Sequence, residues 1–242
     1  MPNDATVEPE CVIVFLRSPE PGRVKTRLAK TLGGETAANL YRCFALDLLA
    51  TVWRTGIPPH LFYTPADAGD RIAGWIGPGH RLTAQRGADL GLRMANAFRE
   101  VFAQGARRAL LVGTDLPDLP AERISAGLAS LASAPAVLTP TLDGGYGLIG
   151  FRAEAFTEAV FEDPPWGTDG VLPATLAAFR RCNVVPRLLA PWPDIDTVDD
   201  LAALMQRLQK SAAAAPATAA CLTALFPDGR VAKTTARAVK FD

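Results

Sequence analysis

The sequence predicts a three-layer α/β/α fold built on a mostly parallel sheet. Two observations carry this: short apolar runs recur along the chain, and amphipathic helical stretches alternate with them. Residues 11–16 (CVIVFL) are apolar without a polar alternate, as in a strand covered on both faces. Over residues 35–55, Ala38, Tyr41, Ala45, Leu48, Leu49 and Val52 recur at three and four, which is a helical period. A second strand is expected at 60–63, a short helix at 66–75 and a further strand at 81–84. Met94, Ala97, Phe98 and Val101 share one face of a helix over 90–102. A buried strand at 109–112, a helix at 121–131 and strands at 136–139 and 148–151 come next. A helix after Gly170, a strand at 184–189 and a helix at 198–209 complete the regular pattern. Residues 1–209 are therefore the expected catalytic unit. The rest, 210–242, is an expected appendage: Ala-rich at first, then basic from Arg230 to Lys240, which suits a tail or a peripheral strand.

Composition narrows the function. The 242 residues are 49% hydrophobic and 21% charged, ordinary for a globular protein with a sizeable core. Lys and Arg total 25 and so do Asp and Glu, so no global charge favours nucleic acid and any phosphate affinity must be local. Four separated cysteines (Cys11, Cys43, Cys182, Cys221) give neither a zinc spacing nor a disulfide framework. With only His60 and His80 available, a histidine-centred triad or metal site is disfavoured. The polar, acidic start and the lack of about 20 consecutive apolar residues argue against a signal peptide or a membrane span, so a cytoplasmic protein is expected. Nothing in the sequence sets the oligomeric state.

The first strand runs into Arg17-Ser18-Pro19-Glu20-Pro21-Gly22-Arg23-Val24-Lys25-Thr26-Arg27, which holds four cations and one acid. Pro19, Pro21 and Gly22 forbid the strand from continuing. A helix beginning near Val24 would aim free N–H groups at the same space. Arginine forks onto phosphate oxygens and lysine adds a mobile charge. A solvated basic turn is the competing reading. The Walker spacing is missing, which disfavours ATPase chemistry.

Acids recur at strand ends. Asp115 ends an apolar strand, with Pro117 just beyond, and is a candidate ligand for Mg2+ or Mn2+ or else a helix cap. Asp194 and Asp196 alternate in an extended segment, so both carboxylates face one side. Thr197 and Asp200 have capping-box spacing and read as structural. Asp143-Gly144-Gly145-Tyr146 suits either close backbone approach to a ligand or a hairpin turn. Gly87, Asp89, Gly91 and Arg93 form another glycine-spaced loop ahead of a helix. Trp166-Gly167-Thr168-Asp169 either lines an acceptor pocket or packs.

Together, Phe15–Leu28, Gly87–Gly91, Gly113–Pro117, Asp143–Tyr146 and Asp194–Thr197 resemble, in order, a bacterial glycosyltransferase-A-type family labelled radical-SAM/selenodomain-associated transferase. The resemblance covers about residues 11–205; Leu16-Arg17 departs from the more frequent Ala-Lys but keeps a cation. It implies the nucleotide-diphospho-sugar transferase fold and two chemistries. One is glycosyl transfer from a nucleotide sugar to a small-molecule acceptor, the other nucleotidyl transfer from a nucleoside triphosphate. Both imply Arg23, Lys25 and Arg27 on phosphates, Asp115 with Asp194 or Asp196 on metal, and Asp115 and Lys25 as the catalytic pair. Arg17, Pro21, Gly22, Gly87, Asp89, Arg93, Asp143, Gly144, Gly145 and Tyr146 complete the expected nucleotide site. A nucleotide-binding protein without turnover is the reading from a different class.

Overall fold

The computed structural model describes residues 9–229 and 231. Among these, seven strands form one sheet: β1 (Glu10–Arg17), β2 (Pro59–Thr64), β3 (Arg81–Ala84), β4 (Arg108–Gly113), β5 (Ala136–Pro140), β6 (Tyr146–Arg152) and β7 (Arg187–Leu188). Their order is β3-β2-β1-β4-β6-β5-β7. Only β6 runs antiparallel, to β4 and β5 on its two sides. The helices are α1 (Thr26–Leu32), α2 (Gly34–Arg54), α3 (Gly69–Ile76), α4 (Leu90–Ala103), α5 (Ala121–Ser130), α6 (Val171–Arg181), α7 (Val198–Lys210) and α8 (Pro216–Leu225). No helix of the described residues is long and apolar enough to cross a membrane.

Both faces of the sheet are covered, which is why its central strands carry no polar alternates. Ile13 and Phe15 of β1 pack with Phe98 of α4 and Phe179 of α6. Val12 and Val14 point the other way, onto Leu48 and Val52 of α2 and Ile124 of α5. This alternation puts every residue of 12–16 in the core, Phe15 at 9% exposure and the other four at 0%.

Two elements differ from the sequence expectation. The strand expected at 184–189 shrinks to Arg187–Leu188, because Asn183 turns the chain with φ 56° and Pro186 brings no N–H to the ladder. The first helix begins at Thr26 rather than near Val24, because Gly22 (φ 75°) and Lys25 (φ 46°) hold left-handed turns that no helix can include.

The change of composition after residue 209 coincides with the end of α7 at Lys210. Beyond it, α8 lies back against α2: Cys221 and Leu222 share one apolar cluster with Leu40 and Phe44 of α2 and Leu204 of α7. Buried Asp47 of α2 accepts hydrogen bonds from the N–H groups of Ala217 (3.0 Å) and Thr218 (2.7 Å), so a tertiary carboxylate caps α8. The expected basic tail, 230–240, lies outside the described residues apart from Val231. Replacing Asp47 with Ala orphans two helix-end N–H groups, and urea unfolding is expected to show a loss of about 1–2 kcal/mol. An unchanged midpoint would mean that the Asp47 cap adds nothing to stability.

Candidate functional site

The chain leaves β1 for β2 and β3 on one side, and returns to β4 on the other. The loops after β1 and β4 therefore diverge, and a crevice opens at the carboxyl edge between them, where open α/β sheets bind ligands. A cleft of about 670 Å³ occupies this place.

Lys25 crosses the crevice. Its left-handed backbone (φ 46°, ψ 47°) costs about 1–2 kcal/mol for a non-glycine residue, and it directs the side chain inward, where only 3% remains exposed. The ammonium Nζ lies 2.5 Å from Asp115 Oδ1 and 2.8 Å from Asp196 Oδ1. Burial alone would depress the ammonium; the two carboxylates outweigh it and raise its pKa above the usual lysine value. Arg27, half exposed, reaches Asp196 Oδ2 at 3.5 Å.

Backbone ties hold the acids in place. Ile195 N–H donates to the Asp115 carbonyl (3.0 Å) and its side chain is fully buried, so Asp194 and Asp196 on either side turn toward the cleft. Asp200 accepts from Asp196 N–H (3.2 Å) and Thr197 N–H (2.7 Å) within the capping box of α7. Asp143 Oδ1 accepts from Thr141 Oγ1 (2.6 Å) and Gly145 N–H (3.0 Å), an Asx turn at the β5–β6 hairpin. Its turn and ligand readings are therefore compatible, since the turn aims the carboxylate.

Asp143, Asp194 and Asp196 each offer an oxygen within 4.8 Å of the others. Oxygens shared by one magnesium- or calcium-sized ion lie at about 2.0–2.6 Å from it, hence within roughly 5 Å of each other. The trio fits a hard divalent cation. Its membership differs from the expected Asp115, Asp194 and Asp196: Asp143 joins, while Asp115 Oδ1 is paired with Lys25. Burial first, then the charges of Asp143 and Asp196, push Asp194 up to about 6. Asp196 is lowered instead, because the Lys25 ammonium overcomes the effect of burial.

The remaining expected residues divide. Arg17, Asp89, Arg93, Gly145 and Tyr146 line the cleft. Asp89 Oδ1 caps α4 through Leu92 N–H (2.8 Å), and Arg93 Nε donates to Gly87 O (3.0 Å). Pro21, Gly22, Arg23, Gly87 and Gly144 are not among the lining residues. Gly144 packs tightly, since a Cβ there would stand 2.4 Å from Asp169 O, and a Cβ on Gly34 would meet Gly22 N at 3.1 Å. Burial raises the pKa of the Tyr146 hydroxyl, with Thr175 acting the other way, and its ring stands edge-on to Trp166 (6.5 Å).

Several contributors have no local sequence signature. The Tyr41 hydroxyl accepts from Arg17 N–H (2.8 Å) and Thr114 Oγ1 (2.9 Å), joining the ends of β1 and β4, and burial pushes its pKa up to about 12. Asp118, 4% exposed, holds Arg207 Nε of α7 at 2.6 Å and accepts from Trp192 Nε1 at 3.2 Å, anchoring the chain that carries Asp194. Gln85 Nε2 donates to Phe62 O (2.8 Å), which leaves its own carbonyl oxygen as an acceptor at the cleft wall. Only a phenol on an apolar helix face, and an acid between two prolines (Pro117 and Pro120), hint at the first two.

A basic loop facing an acid trio across this crevice defines an α/β protein of the nucleotide-diphospho-sugar transferase-like fold. Residues 48–168 match the family model DUF2064, described as an uncharacterized protein conserved in bacteria, and the chain belongs to that family. A structure from Desulfovibrio desulfuricans G20, provisionally described as a nucleotide-diphospho-sugar transferase, is 37% identical, covering 92% of this chain and 97% of its own (TM-score 0.87). Two others share the fold at lower identity. CMP:2-keto-3-deoxy-manno-octonic acid synthetase complexed with CTP is 9% identical over 84% of this chain and 99% of its own (TM-score 0.55). The 4-diphosphocytidyl-2C-methyl-D-erythritol synthase of Anaerococcus prevotii DSM 20548 is 15% identical over 83% and 99% (TM-score 0.54). A search of the curated proteins finds no match.

The raised Asp194 carries a stability prediction. Between the unfolded carboxylate value, about 3.9, and the folded value of about 6, the native state binds the extra proton, so stability falls as pH rises through that window. Asp194→Asn is expected to raise stability at pH 7.5 in metal-free buffer by about 1 kcal/mol, after discounting for partial exposure, and to give no gain at pH 3.5. Thermal midpoints across that pH range check this; a gain of equal size at both ends would remove the electrostatic cause.

Proposed function

We propose that the protein is a metal-dependent transferase that takes a nucleotide-diphospho-sugar donor and passes its glycosyl group to a small-molecule acceptor. The observation that carries this is Lys25 at the centre of the crevice, with Arg17 and Arg27 in the same cleft and the Asp143–Asp194–Asp196 trio converging beside it. The 37% identical relative with its transferase description supports the same class. So do the five ordered motifs, which keep the narrower likeness to radical-SAM/selenodomain-associated transferases within this reading.

In this reading the donor's diphosphate lies between the basic loop and the acids. Asp143, Asp194 and Asp196 would hold Mg2+ or Mn2+, which supplies positive charge to a departing diphosphate. Lys25 and Arg27 add their own charge to the bridging oxygen as the bond to the anomeric carbon breaks. Asp115, whose carboxylate is 46% exposed in the cleft, takes the proton of the attacking acceptor hydroxyl. Tyr41 and Asp118 position these groups without touching the reacting atoms. Trp166 and Met94 line the apolar arm of the cleft, which suits an acceptor body, and Thr64 and Gln85 the polar arm, which suits a base edge.

Nucleotidyl transfer is the second reading, favoured by the density of cations at the end of β1: Arg17, Lys25 and Arg27 match a triphosphate well. There, a phosphate of the acceptor attacks the α-phosphorus and pyrophosphate leaves.

Thermal unfolding against nucleotide sugars and nucleoside triphosphates, with and without Mg2+ or Mn2+, separates the two. A metal-dependent rise with one nucleotide sugar is expected, about 2.7 kcal/mol at 100 times its dissociation constant. A rise with a triphosphate alone would transfer the reaction to nucleotidyl transfer, and no rise in folded protein would sink both. Asp115→Asn is expected to lower turnover of the donor so found by about 100-fold while leaving its binding within about threefold; undiminished turnover would remove Asp115 from the chemistry.

A further inference from the structure

The acidic trio already shares one member with a cation. Lys25 Nζ sits 2.8 Å from Asp196 Oδ1, on the same carboxylate group that converges with Asp143 and Asp194, and its other partner is Asp115. Asp115 and Asp196 thus hold Lys25, and Arg27 reaches Asp196 as well, beside the two remaining acids of the trio. Resting on the reading that a polyphosphate enters this cleft, we propose that Lys25 is the resident cation of the site and gives up Asp196 only to a phosphate. The cleft's ligand is then the metal–polyphosphate complex, in preference to free metal or free nucleotide.

The argument is one of charge and reach. A divalent ion bound through Asp196 would stand close to an ammonium held on the same carboxylate, and the two charges would repel. With its side chain 3% exposed, Lys25 depends on the carboxylates beside it for partners. Phosphate oxygens brought in beside Arg17 and Arg27 offer the missing partner. A compact ammonium on a flexible four-carbon stem can pass from carboxylate to phosphate; the Arg27 guanidinium, 54% exposed, stays at the rim in either state. Metal and polyphosphate therefore assist one another, a reciprocal coupling with Lys25 as its moving part.

Mn2+ binding read by electron paramagnetic resonance tests this on wild type, Lys25→Met and Arg27→Met, with Mn2+ alone and with Mn2+ plus inorganic tripolyphosphate, after allowing for the complex formed in solution. Wild type is expected to bind Mn2+ at least about 10-fold more tightly with tripolyphosphate than without it. Lys25→Met is expected to bind Mn2+ alone at least about 10-fold more tightly than wild type and to lose most of the assistance. Arg27→Met removes the same charge from the same carboxylate without vacating the site, and is expected to bind Mn2+ alone within about threefold of wild type. Equal gains in both variants would reduce the effect to net charge and overturn the proposal, as would no gain in Lys25→Met. Should Lys25→Met fail to fold, the wild-type comparison decides: no assistance from tripolyphosphate overturns it. Assisted Mn2+ binding in a protein that binds no nucleoside phosphate would sink the proposed function and leave this inference standing.

Discussion

The site depends on one ion cluster built around a buried lysine. Lys25 stands between Asp115, at the end of β4, and Asp196, in the approach to α7. These three residues come from parts of the chain at least 81 positions apart, and a charge buried without a partner is costly. Their pairing joins the basic loop, the second central strand and the C-terminal helices across the crevice. It also offsets the strain of a left-handed lysine, because the same backbone turn that costs energy delivers the ammonium to its partners.

Around this cluster the cleft is divided by chemistry. Toward β2 and β3 its walls are polar, with Thr64 and an oriented Gln85; toward β6 and α6 they are apolar, with Ile149, Tyr146 and Trp166. The antiparallel β6 produces the second half. By reversing direction it brings the Asp143 hairpin to the edge where the parallel strands end, so an acid from the β5–β6 turn meets acids from the segment before α7. The glycines at 144 and 147 make that approach possible, since side chains there would run into Asp169 and Leu116. The outer helices serve the site at a distance: Arg207 of α7 fixes Asp118, and α8 closes over α2.

Much of the fold was legible in the sequence, because buried parallel strands and amphipathic helices leave strong periodic signals. The alternation of residues 11–16 into two faces and the capping box at Thr197 are local, and both are present as expected. The departures came from backbone signals of one or two residues. Lys25 takes a left-handed conformation that its residue type does not announce, and Pro186 trims an edge strand. The site was legible as a set of motifs but not as a set of contacts. Asp143 read as a nucleotide contact or a turn and lies in the acid trio, whereas Asp115 read as a metal ligand and is paired with lysine.

The sequence by itself determined the layered α/β architecture, the basic loop after the first strand and the acids at the strand ends, since composition and period act over neighbouring residues. Tertiary structure alone decided which acids converge, that Lys25 is buried between two of them, and that Tyr41, Asp118 and Asp47 hold the frame. Those choices depend on distances between residues far apart in the chain, and on the balance between desolvation and pairing. Neither is written in local spacing.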